Sequence, residues 1–162
     1  MLMFKSKKNQ KTIILFPLLL IVSLIAASLA GAEEQREPGA LTSKPPEESG
    51  FITPFATYQF LGGFKSELTM NASSIYIAGH TEAKLAADFI SVDVTLQRWD
   101  GSAWRNERAV SNSTTHSKSV ETSQTVYNLS KGYYYRTLST HMVRINGTVE
   151  KASFYTPGYL YN

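Results

Sequence analysis

The stretch "DFISVDVTLQRW", residues 88–99, constrains the fold more than any other part of the chain. Ile90, Val92, Val94 and Leu96 fall at every second position, and Ser91, Asp93, Thr95 and Gln97 fall between them. Side chains alternate across a strand, so this pattern predicts a β-strand with one buried face and one wet face. A helix would scatter the same residues around its axis. The period of two continues on both sides. Strands are predicted at 64–70, 74–83, 88–99, 103–111, 120–129, 132–145 and 148–155, with "TEAKLAADF" able to form one helical turn. Asp100-Gly101 and Asn146-Gly147 read as tight turns, and "NSTTHSKS" as a polar loop.

Seven short strands within 50–162 are the pattern of a single antiparallel sandwich of the immunoglobulin or fibronectin-type-III kind. That length holds one modest core and not two. The expected class is therefore all-β.

Two segments precede the domain. Lys5, Lys7, Lys8 and Lys11 give a basic start. An uncharged run, "TIILFPLLLIVSLIAASLA", follows, then Ala30-Gly31-Ala32. A basic start, an apolar middle and a small-x-small site form an export signal, so 1–32 is expected to be removed behind Ala32. The alternative is an uncleaved helical anchor, since the run approaches the roughly 20 residues that span a bilayer. Residues 33–49, "EEQREPGALTSKPPEES", are charged and Pro-containing. They are expected to be a disordered linker.

Charge and cysteine content narrow the function. The whole chain carries 16 Lys+Arg against 13 Asp+Glu, but four of the lysines lie in the export segment. The remainder is 12 minus 13, or −1, and from Gly50 onward 10 minus 8, or +2. A nucleic-acid partner needs a concentrated basic stripe, which these sums do not provide. With no cysteine there is no disulfide framework, thiolate metal site, cysteine nucleophile or lipid-anchored cysteine.

Residues 127–140, "YNLSKGYYYRTLST", carry a structural signature. Leu129, Gly132 and Tyr135 have the spacing of a tyrosine corner, in which the tyrosine hydroxyl returns to the backbone just upstream and pins the turn into the next strand. Tyr133 should share the inward face of Tyr135, and Tyr134 should face out. "LSTHM" follows, and it puts Ser139 and His141 on the face of Tyr135, where β-branched residues would be expected.

No residue set assembles a reaction. His80, His116 and His141 lack metal-ligand spacing, and no nucleophile elbow, phosphate loop or calcium loop is present. No catalytic residue, metal or cofactor is assigned. An enzyme or toxin-like effector stays as the alternative class, and a cleft holding His80, His141 and a carboxylate would favour it. Trp99 and Trp104 flank the turn between the third and fourth strands. By parity Trp99 should face solvent, so Trp99, Trp104 and Tyr134 are candidates for a sugar-stacking platform. A Trp pair that merely holds the hairpin is the competing reading.

"ITPF" at 52–55, "VTLQRWDGSAW" and "VYNLSKGYYYR" occur in this order behind an export segment and a short linker. In this the chain resembles a family of small, uncharacterised exported β-sandwich proteins of Gram-positive bacteria. The resemblance implies a secreted single domain and assigns no activity. The expected role is a non-catalytic structural or binding module, secreted or on the cell surface. Its partner would be a cell-wall glycan or another surface protein, and the membrane would be touched only through an uncleaved N-terminal segment.

Overall fold

A computed structural model describes residues 36–47, 50–51 and 57–162. The export segment lies outside the described residues, as does "ITPF" at 52–55. Among the described residues the chain is all-β. Nine strands follow one another: β1 (Gly50–Phe51), β2 (Leu61–Asn71), β3 (Ser74–Ala87), β4 (Phe89–Trp99), β5 (Trp104–Thr114), β6 (Ser117–Tyr127), β7 (Tyr133–Ile145), β8 (Thr148–Tyr155) and β9 (Tyr159–Tyr161). One sheet has the order β1-β8-β7-β4-β5, with β9 added to β7, and the other has the order β2-β3-β6. All pairings are antiparallel. The fourth long strand, β5, stays beside β4 rather than joining β6. This is the fibronectin-like division of a Greek-key sandwich, not the constant-type immunoglobulin one.

The seven long strands correspond to the seven expected, and β1 and β9 are short additions at the sheet margin. Two local expectations are corrected. "TEAKLAADF" forms no helical turn, because β3 runs on to Ala87, past a register shift in its pairing with β6. The predicted polar loop at 112–119 shrinks to Thr115-His116, with His116 at φ 52°. The Ser, Thr and Asn flanking it extend β5 and β6, since alternating hydroxyl residues suit a half-wet strand.

The core lies between the sheets. Ile90, Val92, Val94 and Leu96 of β4 are fully buried against Ile75 and Ile77 of β3 and Val120 and Val126 of β6. Ser139 and His141 do share the inward face of Tyr135, and they are buried too. They are tolerated because they are paired. His141 Nδ1 meets Thr81 Oγ1 at 2.8 Å, and His141 Nε2 meets Ser139 Oγ at 2.9 Å. The Phe64 ring stacks on the imidazole at 5.0 Å. A second polar link joins Ser66, Thr137 and Thr156 across the core end, with Ser66 Oγ and Thr137 Oγ1 2.9 Å apart. Buried polar groups are nearly always hydrogen-bonded, and these are.

Part of the expected linker lies among the described residues. Residues 36–47 form an arm lying against the end of the domain, with Thr42 and Pro45 buried. The Leu41 amide donates to the Gly132 carbonyl at 2.7 Å. Composition alone could not show this, because the surface that receives the arm is assembled from distant strands.

Candidate functional site

The tyrosine corner has the geometry its spacing implies. The Tyr135 hydroxyl donates to the Ser130 carbonyl at 3.0 Å. Gly132 sits at φ 82°, a left-handed conformation that favours glycine. A Cβ there would also come within 2.9 Å of the Gly39 carbonyl and 2.7 Å of Leu41 Cγ. Leu129 and Tyr133 pack against the core margin. Burial, with the Glu107 charge adding to it, pushes the Tyr135 hydroxyl up to about 12, so it stays a donor.

The sugar platform expected at Trp99, Trp104 and Tyr134 is not an exposed surface. Trp99 is 7% exposed and Tyr134 1%, and Trp104 is half-buried. The indoles lie 5.5 Å apart at 58°, so they are not coplanar. Parity did put Trp99 and Tyr134 on the outer face of their sheet. Something else covers that face. Arg136 lies between Trp104 and Tyr155, its guanidinium carbon 4.2 Å and 3.8 Å from the two ring centres, and donates to Gln97 Oε1 at 2.9 Å. Gly158 wedges beside them: a Cβ there would meet Trp104 Cη2 at 2.9 Å and Pro45 Cγ at 3.3 Å. The arm and the C-terminal tail therefore roof the aromatic end. Burial and the Glu37 carboxylate raise the pKa of the Tyr134 hydroxyl.

His80 and His141 share no cleft. His141 is sealed inside, and burial, aided by His80, lowers its pKa to about 4. His80 lies on the outer face of β3, and His116 is exposed in its turn.

That outer face holds the candidate site, an open groove of about 640 Å³ across β2, β3 and β6. Strand register builds it row by row. Lys65, His80 and Glu121 are lateral neighbours, and Glu67, Ala78 and Ser123 form the next row. Tyr76 stands at one end, and Asn112 of β5 forms a rim by donating to the Glu121 carbonyl at 2.8 Å. The concavity has a local cause. Gly79 turns its missing side chain toward the other sheet, where a Cβ would lie 2.5 Å from Val94 Cγ2 and 2.7 Å from Val92 Cγ2. The sheets approach closely there, and the small Ala78 leaves the floor open. Lys65 Nζ pairs with Glu67 at 3.1 Å in this exposed setting.

The groove offers an ammonium, an imidazole, carboxylates, hydroxyls, an amide and one phenol ring. Such a set can bind a ligand rich in hydroxyl groups. Among the described residues no cluster of three or more His, Cys, Asp or Glu could hold a metal ion. Sequence reasoning missed the groove because its rows join three strands whose pairing one sequence does not show. The period-two run Tyr76, Ala78, His80 was its only trace.

Residues 44–157 match the family of unknown function DUF6147. The chain belongs to the DUF6147 family. The match spans β1 to β8 and takes in both the groove and the tyrosine corner. No curated protein and no solved structure matches the chain.

Proposed function

We propose that this DUF6147 protein is an exported, non-catalytic module that binds a polyhydroxylated cell-wall glycan of a Gram-positive bacterium in the outer groove of β2-β3-β6. The observation that carries the reading is the groove itself, concave, open and lined almost wholly by hydrogen-bonding groups around Tyr76. Sugars are held by such groups together with one flat ring to stack on. The N-terminal sequence, with its basic start and small-residue cleavage pattern, supports delivery across the membrane. The groove serves equally whether that segment is cut behind Ala32 or stays as an anchor.

The test is co-sedimentation of the exported protein with isolated Gram-positive cell wall, beside Tyr76→Ala and Glu121→Gln. Wild type should bind saturably, and each variant should weaken binding roughly tenfold, the loss of one good stacking or charged hydrogen-bond contact. Binding that ignores both variants would remove the groove from the reading. A surface-protein partner is the second reading. It is favoured by β2, an eleven-residue edge strand whose far side has no neighbouring strand among the described residues.

A further inference from the structure

Three buried side-chain polar atoms have no hydrogen-bond partner among the described residues: Thr42 Oγ1, Trp99 Nε1 and Trp104 Nε1. They come from two strands and the arm, far apart in sequence, yet all gather at one seam. Thr42 belongs to the arm. Pro45 of the arm and Trp104 both touch the site of Gly158, and Trp104 packs on Trp99. The Tyr134 hydroxyl is hydrogen-bonded to the Glu37 carboxylate at the arm's start. Buried polar groups are nearly always paired, and a cluster of exceptions marks a place built for something besides packing.

The arm is held lightly. One backbone hydrogen bond, Leu41 to Gly132, and the Glu37 carboxylate on the Tyr134 hydroxyl tie it to the domain, and its ion pair, Lys44 with Glu47, is internal. Docking it strands polar groups that water would otherwise satisfy. What lies beneath has the makeup of a recognition surface. Two indoles, two phenols and a guanidinium stacked between rings are packed together on the outer face of β4, β5, β7 and β8.

We propose that residues 36–47 are a displaceable strap over a second ligand site, formed by Trp99, Trp104, Tyr134, Arg136 and Tyr155, which takes an N-acetylated glycan. The chemistry fits that class. Both indole N–H groups are donors in need of acceptors, which acetamido carbonyls and ring oxygens supply, and the Tyr134 O–H is freed for the same use when the arm carries Glu37 away. The faces of pyranose rings stack on indole and phenol. The site is separate from the groove, and the inference does not rest on that reading.

Trp99 and Trp104 are the only two tryptophans in the chain, so its fluorescence reports this site alone. A reversible lock is also available. A Cβ at Gly101 would lie 3.8 Å from Thr42 Cβ, the mean Cβ spacing of a disulfide, in a chain without native cysteine. The full chain carrying Thr42→Cys and Gly101→Cys is titrated with the tetramer of N-acetylglucosamine, oxidised and then reduced. The reduced protein should show a saturable change in tryptophan emission, with apparent Kd at least tenfold tighter than the oxidised protein. Identical titrations in both states, or no response when reduced, overturn the proposal.

Gly101 sits at φ 100°, where cysteine is strained, so Pro45→Asp provides a second variant. It should red-shift the emission and bind the tetramer more tightly than wild type, and unchanged emission and affinity overturn the strap. Tyr76→Ala separates the two sites. It should weaken wall binding through the groove roughly tenfold while leaving the tryptophan response intact.

Discussion

Single residues in this protein act through position more than through reactivity, and Tyr135 is the clearest case. Its ring is fully buried, and its hydroxyl closes the corner onto Ser130. Tyr135→Phe keeps the ring, removes the donor and strands a carbonyl. The expected cost is about 1–1.5 kcal/mol, the usual net worth of one such hydrogen bond. Urea unfolding of the two proteins measures it, and equal midpoints at equal slope would show that the hydroxyl contributes nothing. This corner was legible in the sequence because Leu129, Gly132 and Tyr135 are close in the chain and act locally. Trp99 was not. Parity correctly placed it on the outer face, but the segment that covers that face lies more than fifty residues away.

Elements were legible wherever burial alternates. The β4 row was readable directly, and so were the Asn146-Gly147 turn, with φ values of 49° and 80°, and the order of the seven long strands. Strand lengths were less so. Ser and Thr runs serve a loop and a half-exposed strand equally well, which hid the ends of β5 and β6. The groove was hidden for a different reason: sheet curvature depends on what the facing sheet presents. Gly79 is where that dependence can be measured. Gly79→Ala drives a Cβ into Val94 and Val92, and overpacking of this kind costs about 1–3 kcal/mol. Val94→Ala clears space on the opposite sheet. The double variant should therefore be more stable than the sum of the two single losses predicts, by more than the few tenths of a kcal/mol that separate independent sites. Strict additivity in a double-mutant cycle would mean that the close approach at Gly79 does not set the spacing of the sheets.

At the scale of the whole molecule, fold class could be read from period two, and closure of the sandwich could not. Closure depends on polar groups inside the core, where a sequence reading expects only apolar ones. His141 joins Thr81 of one sheet to Ser139 of the other, so the two sheets share a hydrogen-bonded tie as well as a greasy interface. That tie makes the stability of the domain depend on pH. In the folded state burial, with the nearby His80 adding to it, holds the His141 pKa at about 4, whereas an unfolded histidine titrates near 6.5. Above about pH 6.5 the ring is neutral in both states and contributes no slope. As pH falls through 6.5 the unfolded chain takes up a proton that the folded core refuses, and stability drops until about pH 4, where both states are protonated. A difference of about 2.5 pK values at about 1.36 kcal/mol each amounts to roughly 3 kcal/mol. His141→Gln can still bond to Thr81 and Ser139 but does not titrate. The variant should be somewhat less stable at pH 7, and between pH 6.5 and 4.5 it should lose far less stability than wild type. Urea melts at half-unit steps across that window decide the matter, because parallel curves for the two proteins would move the acid sensitivity to other groups and leave His141 a passive tie between the sheets.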